Sequence, residues 1–248
     1  MGKEKDGKRS IAINGRKMLC SRITSKFLPD YPTPDETPFN TELAEGEAVI
    51  NGWLKDWPAE LLDAGKDFEV DVYNVLTHSW NTYSAKIDSF GRFQIRLPLT
   101  GAQEMYLDRK RSPVATVLEP GETYFLLIDK KAGCTLFMGR NARLQNELLA
   151  HRMRSESAYV DLRGKLDSDS LIALKNRWAD AYRQNLEKIK AQAEKCPTLS
   201  RRYLDYHREA CKFTACRELM QLQYDANDNT LPAELLDYVG KTAIINSD

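Results

Sequence analysis

The feature that most restricts this chain is a change of hydrophobic period within "FMGRNARLQNELLAH", residues 137 to 151. Upstream of it, apolar residues come in short bursts separated by Gly, Pro and Asp; downstream they recur every three or four residues. A period of two buries one face of a strand, and a period near 3.6 buries one stripe of a helix. The chain therefore reads as α+β, an N-terminal antiparallel β-sandwich followed by a helical segment of three to four helices. At the junction, Gly139 releases the last strand, Asn141 is placed to cap a helix, and Leu144, Leu148 and Leu149 set its apolar face.

Three regions follow from this pattern. Residues 1–44 form an arm in which "FLPDYPTPDETPFN" places four prolines in fourteen residues, a density that blocks helix and central strand alike. It is expected to run extended and to be dispensable for the fold, apart from a small hairpin around Asn14-Gly15 in "SIAINGRKML". Residues 45–140 form the sandwich. Its strands are "EAVINGW", "DFEVDVYNVL", "TYSAKI", "GRFQIRLPL", "QEMYLDR", "PVATVLE", "TYFLLID" and "CTLFM". In the second, Phe68, Val70, Val72 and Asn74 alternate with Glu69, Asp71, Tyr73 and Val75, as a sheet with one buried face requires. "DSFGRF" and "EPGET" supply turn chemistry through Gly91 and Pro120-Gly121.

Residues 141–248 form the helical segment. Leu171, Leu174, Trp178, Tyr182, Leu186, Ile189 and Ala193 make one long stripe, which "CPTLS" ends. The next helix, about 200 to 224, aligns Tyr203, Tyr206, Ala210, Phe213, Cys216 and Met220, and a last one begins near "LPAELLDYV".

Composition narrows the function classes. Lys+Arg and Asp+Glu both total 36, which speaks against general nucleic-acid binding. No apolar run approaches the length of a transmembrane helix. "MGKEKDGKRSIAING" has no signal-peptide core, so the chain is expected to be cytoplasmic or to lack its leader. Five scattered cysteines, Cys20, Cys134, Cys196, Cys211 and Cys216, form neither a disulfide framework nor a C-x-x-C pair.

Four segments together resemble the N-terminal region of bacterial multidomain thiol–disulfide oxidoreductases of the TlpA/ResA-like type. They are "AVINGW" (48–53), "DSFGRFQI" (88–95), "LEPGETYFLLID" (118–129) and "GRNARLQNELL" (139–149), in the family's order and spacing. The family pattern carries its catalytic C-x-x-C in a thioredoxin domain after such helices, and this sequence holds no counterpart. The resemblance implies a non-catalytic module, either the N-terminal part of a longer enzyme or a stand-alone relative. Its implied partner is a C-terminal thioredoxin domain or a protein client, and its implied setting is the periplasm or cell envelope.

No catalytic, cofactor-binding or metal-binding residue is assigned. His78, His151 and His207 lie in different regions, unlike a metal site with clustered ligands. Cys211 and Cys216 point apart on one helix, and buried free thiols are expected there and at Cys134. The "DRKRS" cluster at 108–112 is either an anion patch or, more plainly, a solvated hairpin tip. Glu69 and Asp71 share a strand face, which a two-carboxylate hydrolase could use but a solvated strand equally displays. Trp53, Trp57 and Trp80, with Tyr73 and Tyr83 nearby, are the candidate ligand-stacking residues of an alternative, a stand-alone envelope glycan- or ligand-binding protein. Against that stands burial in the core, where large aromatic rings most often go.

Overall fold

The computed structural model of the chain describes residues 4–5, 8–13, 16–21, 31–64, 67–74, 79–108, 114–153 and 168–225, together with Ala233 and Asp237. Along the chain run β1 (Glu4–Lys5), β2 (Lys8–Ile13), β3 (Arg16–Ser21), β4 (Gly46–Lys55), α1 (Ala59–Ala64), β5 (Asp67–Asn74), β6 (Ser79–Lys86), β7 (Arg92–Leu99) and β8 (Gln103–Leu107). They continue with β9 (Val114–Leu118), β10 (Thr123–Asp129), β11 (Cys134–Met138), α2 (Arg143–Ala150), α3 (Ser168–Lys195) and α4 (Arg201–Asp225). The chain divides into two compact units, residues 1–33 with 40–152 and residues 34–39 with 153–248.

The first unit is β-sandwich-like because its strands alternate. In β7, "RFQIRLPL", Phe93, Ile95, Leu97 and Leu99 turn inward while Arg92, Gln94, Arg96 and Pro98 stay exposed. Phe68, Val70 and Val72 of β5 do the same. Two four-stranded sheets result, ordered β11-β10-β4-β7 and β6-β5-β8-β9. Their inward faces share one apolar core that includes Ile50, Leu54, Phe68, Leu97, Met105, Leu107 and Leu126. All pairs are antiparallel except β10 with β4, which run parallel with Asp129 opposite Lys55. The expected hairpin is present as β2 and β3 flanking Asn14-Gly15, and β1 pairs with β2 beside it.

Each of the four segments singled out in the sequence has a packing reason. Gly52 leaves room for the Phe93 ring, whose atoms would lie 1.9 Å from an added Cβ, and Phe93 stacks on Phe68 at 3.8 Å. Gly91 takes a φ of 76° against the Leu54 carbonyl, in a turn where the Asp88 carboxylate accepts bonds from the Phe90 and Arg92 amides. Gly121, at φ 79°, forms the "PGET" turn, in which the Glu122 amide donates to the Glu119 carbonyl. Gly139, at φ 137°, lets the chain leave β11 past the Thr123 carbonyl, 2.9 Å from where a Cβ would sit.

The helix after Gly139 is held by polar side chains, which the apolar pattern did not announce. Gln145, Asn146 and Glu147 are all buried in α2. Asn146 is bonded to both backbone groups of Phe137 in β11, accepting from its N–H and donating to its carbonyl, both at 2.8 Å. Gln145 donates to the Val117 carbonyl of β9 at 2.7 Å, so one short helix ties an edge strand of each sheet. Asn146 also donates to the Tyr31 hydroxyl, and Arg143 reaches Glu147, the Thr33 carbonyl and the face of the Tyr31 ring. Burial, the largest influence there, pushes the Tyr31 phenol above its ordinary pKa. The expected cap at Asn141 is corrected: the N-cap is Ala142, with no side-chain cap bond, and Asn141 precedes it. Buried amide bonds to neighbouring strands, rather than a cap, anchor this helix.

The second unit contains α3, α4 and the segment 34–39. α3 buries Trp178, Asn185 and Ile189. Ser200 starts α4 as a cap, its hydroxyl accepting from the Tyr203 amide, and α4 buries Arg202, Tyr203, His207 and Cys211. The expected α4 stripe is thus rotated: Tyr206 and Ala210 are half-buried and Phe213 is 66 % exposed. A 3.6-residue stripe is broad, and the slice that is buried depends on the partner. Within this unit, Asp35 accepts the Arg201 amide through its carbonyl, and the Phe39 ring meets Tyr206 edge-on at 5.6 Å. The Pro-rich stretch is therefore bonded into the fold along 31–39, which removes the ground for expecting the whole arm to be dispensable. The helix expected from "LPAELLDYV" lies outside the described residues, apart from helical Ala233 and Asp237.

Candidate functional site

At the ends of β10 and β11, the first unit has a cavity of about 340 Å³. It forms because β4 ends in a turn at Asp56, which adopts φ 54°, and sends Trp57 beneath the end of β10. The Trp57 indole N–H donates to the Ile128 carbonyl at 3.3 Å, and the Lys130 ammonium stands over its ring at 5.1 Å. Trp57, Val114, Ile128 and Leu149 give the cavity an apolar lining, and all four are buried. Asp129, Lys130, Cys134, Thr135 and Arg152 add the polar part.

The charges in this lining are unequal in availability. Asp129 is the cross-strand neighbour of Lys55, and its Oδ2 lies 2.5 Å from the Lys55 Nζ. Its Oδ1 accepts the Ala132 amide at 2.8 Å. The Lys55 bond, then the backbone N–H, hold the Asp129 carboxyl below the usual range, and the same bond raises the Lys55 ammonium. Asp129 is thus a neutralised anion at neutral pH. Lys130 and Arg152 have no carboxylate partner among the described residues.

The three candidate stacking tryptophans stand in three settings. Trp57 is buried at the cavity, with Lys130 over its ring. Trp53 lies on the outward face of β4, donating its N–H to the Phe90 carbonyl, with Arg92 5.9 Å from its ring centre. Trp80 is 55 % exposed on β6 and packs against its cross-strand neighbour Tyr73 at 5.2 Å. Tyr83 packs on the core.

Glu69 and Asp71 share the outward face of β5, where Asp71 accepts the Thr82 hydroxyl at 2.8 Å. Cys134, expected in the core, is half-buried at the cavity instead, because it opens β11 beside the Gly133 turn. Cys211 is buried in α4, and His207 is buried two turns from the start of that helix. His78 and residues 109–112 of the basic cluster lie outside the described residues.

Among the described residues, no group of three or more His, Cys, Asp or Glu could hold a metal ion. No helix among them is long and apolar enough to cross a membrane. Of the residues that line this cavity, the candidate stacking set includes Trp57 but not Lys130 or Arg152. The only local signal was the "DKKAGC" turn, whose charges look like any solvated hairpin tip. Comparison with protein-family models, curated proteins and solved structures gives no significant match to the chain.

Proposed function

We propose that this chain is a non-catalytic N-terminal module of a thioredoxin-like thiol–disulfide oxidoreductase of the cell envelope, positioning the redox domain or its protein client. The observation that carries this reading is the convergence of the four TlpA/ResA-like segments on one structural unit. "AVINGW" lies in β4, "DSFGRFQI" turns into β7, "LEPGETYFLLID" turns into β10, and "GRNARLQNELL" leads from β11 into α2. β11, β10, β4 and β7 are one sheet, and α2 is bonded to its edge. Such a scaffold presents a sheet with a helix anchored on its edge strand.

The test has two arms. The complete reading frame is expected to continue into a C-x-x-C domain within about 150 residues, a usual domain length. The purified chain alone is expected not to turn over in insulin reduction, since its sequence has no adjacent cysteine pair to attack and resolve. Turnover by the chain overturns the non-catalytic reading, and a frame without such a domain overturns the oxidoreductase part. The exposed Trp80, packed on Tyr73, favours a second reading, a stand-alone envelope glycan- or ligand-binding protein.

A further inference from the structure

We infer that the cavity beside Trp57 binds a small organic carboxylate with an apolar body, its charge held by Lys130 and Arg152. This inference does not rest on the module reading. Its volume of about 340 Å³ falls at the small end of ligand sites, which span about 300–1,000 Å³. The floor of Trp57, Val114, Ile128 and Leu149 is already buried, so an apolar group placed there loses little further order and leaves water behind. The polar groups select the sign of the ligand's charge. Asp129 would repel an anion, but Lys55 and the Ala132 amide occupy its two oxygens. What the cavity offers a ligand is the pair of cations, one on the β10–β11 turn and one just after α2.

The geometry also sets what does not fit. The Lys130 ammonium lies over the Trp57 ring, so the indole is not a bare platform for a sugar. A cation held over an aromatic ring is instead a positioned partner for a carboxylate. Arg152 adds a planar donor able to bond a carboxylate through two N–H groups. A dication would meet like charge, and a neutral apolar molecule would gain nothing from either exposed cation.

The experiment titrates the full chain with phenylacetate and, separately, with the neutral phenylacetamide, following tryptophan fluorescence and heat of binding. Phenylacetate is expected to saturate with a Kd below about 1 mM, and phenylacetamide to bind at least about tenfold more weakly. Lys130→Gln and Arg152→Gln should each weaken phenylacetate by about tenfold while leaving the amide's affinity and the melting temperature unchanged. Bound phenylacetate should also slow alkylation of Cys134, read by peptide mass, without slowing that of Cys196. No saturation with phenylacetate up to about 10 mM overturns the proposal. Equal affinity for acid and amide, or unchanged affinity in both variants, overturns it as well.

Discussion

The sandwich and the helical unit obey their sequence patterns to different degrees. In the sandwich, a period of two decided the buried face almost residue by residue: Phe68, Val70 and Val72 went in, as did Phe93, Ile95, Leu97 and Leu99. In α3 the stripe also turned inward, with Trp178 and Ile189 buried, but in α4 it located the element and not the buried slice. α4 buries Tyr203, His207 and Cys211 and leaves Phe213 exposed. A strand has only two faces, so an error of one residue inverts the whole pattern and is strongly selected against. A helix can rotate by a fraction of a turn and still bury an apolar stripe, so its partner decides which residues end inside. Both units bury polar atoms with and without hydrogen bonds. The Asn146 side chain is bonded to the backbone of β11, whereas Thr116 Oγ1 and Gln145 Oε1 in the sandwich unit, and Trp178 Nε1 and His207 Nε2 in the helical unit, have no hydrogen-bond partner among the described residues.

The largest expected effect tests whether the helical unit has a core of its own. Trp178 is 3 % exposed and its neighbour Arg177 is exposed. Trp178→Ala should cost roughly 3–5 kcal/mol and Arg177→Ala about 0.5 kcal/mol or less, read as urea midpoints by circular dichroism. Equal midpoints would break the comparison, since the helices would then have a stripe without a core.

A somewhat smaller effect comes from His207. Burial pushes its imidazole down to about 4, between the rings of Tyr203 and Tyr206. Between pH 6.5 and 4 the unfolded chain holds the extra proton and the folded chain does not. The contribution is therefore complete above about pH 6.5 and is lost as pH falls towards 4, amounting to about 3 kcal/mol. His207→Gln should flatten that part of the stability–pH curve. An unchanged slope would show that His207 is not the group buried neutral.

Asn146→Ala comes next, on the sandwich side. It strands the N–H and carbonyl of Phe137 in a buried setting and should cost about 2–3 kcal/mol. The readout is the urea midpoint again, with hydrogen exchange at the Phe137 amide, which should accelerate. A loss under about 0.5 kcal/mol would mean that α2 is held by apolar contact alone.

The smallest expected change sharpens the turn argument. Gly121 has φ 79° and open space around its missing Cβ, so Gly121→Ala should cost only the left-handed backbone penalty, about 1 kcal/mol. Gly139→Ala adds a collision with the Thr123 carbonyl and should cost more. Equal melting temperatures for the two variants would remove that distinction.

By itself, the sequence determined the eight sandwich strands, the turns at Gly91 and Gly121, the exit at Gly139 and the two long helices. These depend on residues near one another in the chain, through alternation, turn chemistry and helical spacing. Only the tertiary structure decided the burial of Gln145, Asn146 and Glu147, the rotation of α4, the docking of residues 31–39 and the cavity at Trp57. Each of these depends on partners distant in sequence. Asn146 needs Phe137 and Tyr31, and the cavity needs Trp57 beside Lys130, Cys134 and Arg152. The parallel pairing of β4 with β10 brings Lys55 to Asp129 and Trp57 to Ile128, and no local pattern encodes which strands become neighbours. Strand order is chosen by the core as a whole, so the chemistry it assembles at the strand ends becomes legible only after folding.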